Sequence, residues 1–283
     1  MNSVLTRLSI VEFSLLTAIL MFPYASDAKI GLKDVAAMWL FEEAQDDGIG
    51  SDASGNGHHG ELKNRPKEVD GKFGGALKFN GKDNLAAGAS YVEVPHDEAL
   101  NLPDAISISA WVIRREFDFF VHEARSQTIL EKGGSWAPLT NSGYGLALHE
   151  VLDNMFFFYF KDGWRGAVTV PDQDWHHYAV VAKRGDANPD LYIDGELQPI
   201  VHKGGVARKM EWTPEERPVH IGAQLQLDEF YSSNIIDDVA IFNKALAEDD
   251  VKKLSQKGLV RTVLAVSPSG KLATIWAEIK QSR

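Results

Sequence analysis

ISISAWVI, residues 106–113, places Ile106, Ile108, Ala110 and Val112 on one side of an extended chain and Ser107, Ser109 and Trp111 on the other. That two-residue period marks a strand with one face in a core, because a helix needs apolar recurrence every three or four residues. Segments of the same character lie before it at VAAMWLF (35–41), ALKFN (76–80) and YVEVP (91–95). After it come TILEK (128–132), YGLALHE (144–150), MFFFYFK (155–161), WHHYAVVAK (175–183), LYIDG (191–195), VHIGA (219–223) and IIDDVAIFN (235–243). Clusters of Gly, Asn, Asp and Pro separate them. Eleven short strands at this spacing predict an all-β, two-sheet antiparallel sandwich or jelly roll.

Local chemistry refines the pattern. Asp194 and Gly195 supply the positive φ angles of a tight hairpin. The rings of residues 156–160 are consecutive and must fill both faces of their strand, as in a central strand packed on both sides. AEDDVKKLSQKG (247–258) reads as one short helix, with acids in the first turn, lysines later and Gly258 just past its end. A C-terminal appendage follows, in which KLATIWAEIK (271–280) spaces Leu272, Ile275, Trp276 and Ile279 along one face.

The chain has 283 residues, 44% hydrophobic, which is enough for one sizeable core. Its net charge of −11 disfavours nucleic acid and anionic membranes as partners. Arg7, an apolar run over 13–22 and small-x-small residues at 26–28 form an export signal at 1–28, too short in its apolar part to span a bilayer. The mature chain is therefore expected to be secreted, periplasmic or at the cell surface, without membrane insertion. No cysteine is present, so disulfides and zinc–thiolate clusters are excluded and hard-ion chemistry is the natural place to look. Residues 29–260 are read as one domain and 261–283 as the appendage.

DASGNGHHGEL (52–62) follows the first strand as a glycine-rich loop, and it can be a structural turn or a calcium loop. Asp52, Asn56 and curved backbone carbonyls are the oxygen donors calcium favours, although the spacing is not that of an EF-hand.

DASGNGHHG, GKFGGALKFNG (71–81), YVEVP, ISISAWV, WHHYAVVAK, LYIDG and IIDDVAIFNKALAEDDVKKL (235–254) occur in the order typical of one family. Over roughly residues 35–258 the chain resembles the laminin-G-like jelly-roll domains of the concanavalin A-like lectin/glucanase superfamily. The resemblance implies two curved antiparallel sheets, with a calcium ion often held where the first and last strands approach. That arrangement would bring Asp52 and Asn56 toward Asp237, with Glu42 as a further candidate. Strand alternation predicts that Asp237 and Asp238 face opposite ways, so that only Asp237 reaches the site. The sequence departs from the family pattern at Asn80, where an aspartate is common, and at Ala247, which replaces a capping serine.

Glucanases of this superfamily use an ExDxE or ExDxxE strand. EFDFFV (116–121) supplies Glu116 and Asp118, but Phe120 and Val121 stand where the third acid belongs. HEARS and HEVLD lack the second histidine of a zinc-protease helix, and His176 and His177 point to opposite faces of one strand. A non-catalytic binding module for carbohydrate or glycoconjugate is thus expected, with Trp136, Tyr144, Trp164 and Trp212 as rim aromatics for a sugar ring. The alternative is a structural or adhesive module with a protein partner on the C-terminal segment.

Overall fold

The computed structural model describes residues 30–42, 48–82, 87–115, 126–133, 143–149, 155–161, 163–168, 172–205, 209–224 and 231–264. The export signal, the C-terminal segment, Glu116, Asp118 and Trp136 lie outside these residues.

In chain order the strands are β1 Val35–Trp39, β2 Ile49–Gly50, β3 Gly60–Lys63, β4 Lys67–Asp70, β5 Gly75–Lys78, β6 Tyr91–Val94 and β7 Ala105–Ile113. They continue as β8 Ser126–Lys132, β9 Tyr144–His149, β10 Met155–Phe160, β11 Gly163–Val168 and β12 Trp175–Lys183. The last are β13 Asp190–Ile193, β14 Glu196–Gln198, β15 His202–Gly205, β16 Val219–Ile221 and β17 Ile235–Phe242, followed by helix α1, Glu248–Val263. Every pairing is antiparallel. One sheet of eight strands runs β14-β13-β12-β7-β17-β5-β4, with β1 also on β17; the other, of nine, runs β15-β11-β10-β9-β8-β16-β6-β3-β2. This is a jelly-roll sandwich, and all eleven expected strands are in it.

Ile106, Ile108, Ala110 and Val112 of β7 face the core between the sheets, as the alternation predicts, against Val180 of β12, Ile241 of β17 and Phe158 of β10. β10 is buried at all six positions. Phe156, Phe158 and Phe160 enter the main core, while Phe157 and Tyr159 join a smaller cluster with Ala147 and Met155 on the far face of the nine-stranded sheet.

Helix α1 covers the outer face of the eight-stranded sheet. Val251, Leu254, Leu259 and Val263 pack on Met38, Val181, Tyr192 and Phe242, and each such buried side chain contributes roughly 1.5–3 kcal/mol. Gly258 does break the first helical segment, at φ 71° and ψ 176°, but a further turn follows it. Ala247 sits in the extended N-cap conformation and makes no side-chain cap bond. Ala247→Ser should therefore raise stability by about 1 kcal/mol, read from urea unfolding midpoints.

His177 shares that outer face. Its Nε2 lies 2.8 Å from Ser109 Oγ, and burial lowers its pKa to about 4 against the pull of Asp194. A histidine held neutral when folded but titrating near 6.5 when unfolded gives stability that is present above pH 6.5 and lost as pH falls toward 4. Wild type should lose about 2 kcal/mol more than His177→Gln between pH 6.5 and 4.5, measured by denaturant titration at each pH.

Candidate functional site

The last strand of the sandwich carries the site nearest the expected metal position. β17 pairs with β5 through Ile235 and Ile236 and with β1 from Val239 to Phe242. Between these two partners lies a seam, and there β17 bulges against β7 between Asp237 and Ala240. Asp238 takes φ 49° within the bulge. A bulge adds a residue and breaks the two-residue alternation. Both aspartates consequently face the helix-covered side, which corrects the expectation that only Asp237 would.

Each aspartate ties down a neighbouring element with one oxygen. Asp237 Oδ2 accepts the Lys72 and Phe73 amides at 2.8 and 3.0 Å, and Asp238 Oδ2 accepts the Leu259 amide at 2.9 Å. The Oδ1 atoms of both are buried without a hydrogen-bond partner. Burial raises both pKa values, and the Asp237 charge raises Asp238 further. The Glu42 carboxylate adds its field to both. It lies so close over Gly74, at φ 103°, that a Cβ there would come within 1.7 Å of Oε2. Among the described residues no three acidic or imidazole side chains close into a ready metal cage. The seam instead offers two unpartnered carboxylate oxygens, a third acid beside them and the Phe41 carbonyl packed against Gly75.

Asp52 and Asn56 do different work. Asp52 Oδ1 accepts from Met38 N and Ser54 N, and Oδ2 from Ser54 Oγ and His58 N, at 2.8–3.0 Å. Asn56 donates its amide to the Val35 and Ala36 carbonyls at 2.9 Å, and the Trp39 indole donates to His58 O. These donors take up both Asp52 oxygens, so the DASGNG loop is a clasp on β1. Among the described residues no hydrogen bond or ion pair joins Asp52 or Asn56 to Asp237.

Tyr144 and Trp212 are 2% and 3% exposed. The Tyr144 hydroxyl donates to Leu100 O and the Trp212 indole to Leu102 O. The need to satisfy these polar edges turns both residues inward, correcting their reading as rim platforms. They do come together, as walls of a cavity of about 110 Å³ shared with Arg184 and Glu215.

Trp164 is half-buried on the far face of the nine-stranded sheet, edge-on to Phe157 at 6.1 Å. Strand register puts Glu93, His220, Glu131, Gly145, Tyr159, Trp164 and Gly204 in one transverse row over seven strands. Gly145 and Gly204 make room for the neighbouring rings, since a Cβ would come within 2.0 Å of Tyr159 and 2.3 Å of Trp164. His220 Nδ1 is 3.2 Å from Glu131 Oε1, and its Nε2 is 3.6 Å from Glu93 Oε2. Burial, then the Glu131 charge, raises the Tyr159 hydroxyl well above an ordinary phenol, keeping it a neutral donor. Reading single strands misses this row, because each strand contributes one residue. The glycines inside β9 and β15 are its one trace in the sequence.

A laminin-G-type family model, described as the concanavalin A-like lectin/glucanases superfamily, matches residues 86–252. No curated protein matches the chain in sequence. Among solved structures, domain 4 of AbnA, a GH43 extracellular arabinanase from Geobacillus stearothermophilus, in complex with arabinotriose, is similar at 21% identity and a TM-score of 0.54, covering 79% of this chain and 98% of that one. The binding domain of botulinum neurotoxin DC in complex with SialylT is similar at 17% identity and a TM-score of 0.55, covering 81% and 52%. The binding domain of Paraclostridial Mosquitocidal Protein 1 is similar at 16% identity and 0.54, covering 79% and 52%. The chain thus spans about half the length of these toxin binding domains. Among the described residues no helix is long and apolar enough to cross a membrane. With the family match covering more than half of the sequence and the jelly-roll sandwich beside it, the chain belongs to the concanavalin A-like lectin/glucanases superfamily.

Proposed function

We propose that this protein is an exported, non-catalytic binding module for carbohydrate or glycoconjugate. The carrying observation is the Trp164 ring, left half-buried on the far face of the nine-stranded sheet with Phe157 edge-on behind it at 6.1 Å. Sugars dock their C–H faces on such a ring while neighbouring polar groups orient the hydroxyls. Support also comes from similar structures whose names include arabinotriose, SialylT and two ganglioside molecules. The small-x-small stretch at 26–28 supports export.

Calcium belongs to this reading as a structural ion at the β17 seam. The unpartnered Oδ1 atoms of Asp237 and Asp238, with Glu42 alongside, suit a hard cation that takes carboxylate and carbonyl oxygens. Bound there, it would neutralise the buried carboxylates and hold the loop at 71–75 and the α1 kink to the last strand.

A glycan-array screen of the protein, run with calcium and then with chelator, tests the function. Selective, saturable binding is expected in calcium. A blank array from folded protein under both conditions would sink carbohydrate recognition. The protein-interaction alternative draws on Val168, Leu197 and Val201, all more than half exposed at or near the β11, β14 and β15 edges.

A further inference from the structure

We infer that the cavity walled by Tyr144, Trp212 and Arg184 is a binding site for a small carboxylate with an alkyl end, whether a free acid or a substituent carried on a sugar. Trp164 is not among its walls. The site is therefore separate from the proposed saccharide face and stands or falls by itself.

The cavity forms at one end of the sandwich, where the segments entering β7, β9 and β16 meet the segment leaving β12. Leu102 and Pro103 precede β7, Gly143 and Tyr144 open β9, Trp212 lies ahead of β16 and Arg184 follows β12. Gly143 allows the close approach, since a Cβ there would come within 1.6 Å of Lys132 O. Leu102, Tyr144 and Trp212 are buried walls, whereas Pro103, Arg184, Thr213 and Pro214 are exposed, which puts the mouth of the cavity at the surface.

The first ground is the hydrogen-bond inventory. The Tyr144 hydroxyl and the Trp212 indole both donate to main-chain carbonyls. Asn101 accepts the Glu215 amide through Oδ1 and donates its own amide to Glu98. Glu215, the one acid lining the cavity, is held by Arg217 through contacts of 2.6–3.0 Å. Arg184 differs from these. Its Nη2 donates to Trp212 O at 2.7 Å and its guanidinium carbon lies 5.7 Å from the Trp212 ring centroid, which fix the head at the cavity. Among the described residues no carboxylate pairs with it. Its remaining N–H donors match the two oxygens of a carboxylate, and such charge-assisted bonds are about twice as strong as neutral ones.

The second ground is size. An apolar cavity of about 150 Å³ holds benzene, so the volume of about 110 Å³ here suits a group of about five or six non-hydrogen atoms. Whole drug-sized ligands need about 300 Å³ or more. A polyhydroxylated ring would also strand hydroxyls against apolar walls, each at a cost. A short branched acid meets both conditions, with its alkyl end against Tyr144 and Trp212 and its carboxylate at Arg184.

The test is ligand-observed NMR titration of the full chain with isobutyrate and with isobutyramide, which has the same shape and no charge. The acid should bind at least about ten-fold more tightly. Arg184→Gln should remove that preference and Arg184→Lys should keep part of it. Thr213→Trp, a bulky group placed at the mouth from an exposed position, should weaken both ligands, with circular dichroism showing a folded sandwich in every variant. A methyl galactoside bearing a pyruvate ketal, beside the plain methyl galactoside, separates the two sources. Tighter binding of the ketal than of isobutyrate assigns the acid to a sugar, and the reverse order assigns a free acid; both support the site. Equal affinity for acid and amide, or an acid preference that survives Arg184→Gln, overturns the carboxylate. Binding unchanged in Thr213→Trp, or no binding of either acid by folded wild type, overturns the cavity as the site.

Discussion

Millimolar calcium added to chelator-treated protein should raise the unfolding midpoint by about 6–12 °C, and Asp238→Asn should remove that response. A ligand that binds only the folded state at a few hundred times its dissociation constant adds about 3 kcal/mol, and a chain of this size gains about 2–4 °C for each kcal/mol. The response should centre on Asp238 because it is 1% exposed and its Oδ1 has no partner. A buried charge left unpaired is costly, and a divalent ion removes that cost by direct ligation. Asparagine can still accept the Leu259 amide, so the link to α1 survives. The variant without calcium should accordingly be at least as stable as chelated wild type, since its side chain needs neither a cation nor a proton. Differential scanning calorimetry of both proteins, with calcium and with chelator, separates the outcomes. A wild-type midpoint indifferent to calcium, or an undiminished shift in Asp238→Asn, would falsify the seam as a cation site.

The contrast between Asp237 and Asp238 shows where sequence reading stops. A period of two located β7, β10, β12 and β17 within a residue or two, because each buries apolar side chains at every second position or at all of them. The same rule failed inside β17, where the bulge turns adjacent aspartates to one face. Nothing in IIDDVAIF shows that β17 changes partner from β5 to β1 at that point, since the change depends on chain lying far earlier in the sequence, Lys78 opposite Ile235 and Trp39 opposite Val239. The strands missed outright were β2, β3, β4, β11 and β15. GELK, KEVD and HKGG are short and rich in charge or glycine, and they lie toward the sheet margins with little apolar burial to create a pattern. GWRGAV carries two glycines, one of them within van der Waals reach of Met155. The aromatic candidates divided on one feature invisible in a linear chain, the carbonyl available to each polar edge. Leu100 and Leu102 draw Tyr144 and Trp212 into the core, while Trp164 lies across Gly204 on an outer face.

Asp52→Ala should cost about 4 kcal/mol in urea unfolding and leave the size of the calcium response unchanged. The carboxylate collects four donors, from Met38, Ser54 twice and His58, and it is 7% exposed. Truncation strands three main-chain amides, two of them on residues the loop must hold against β1, and a stranded buried donor costs about 1–3 kcal/mol. Asp52→Asn distinguishes lost hydrogen bonds from lost volume. Its amide oxygen can keep the Met38 and Ser54 amides, but its NH₂ then faces the His58 amide, donor against donor. The isosteric change should cost roughly half as much as alanine. If the loop were instead a calcium site, both variants would lose stability only in calcium and would match wild type in chelator. The geometry argues for the first result, because a carboxylate with four donors has no lone pair left to offer a cation. The two aspartate positions of this fold then have opposite signatures. Asp52 stabilises with or without the ion, and Asp238 becomes stabilising only when the ion is bound.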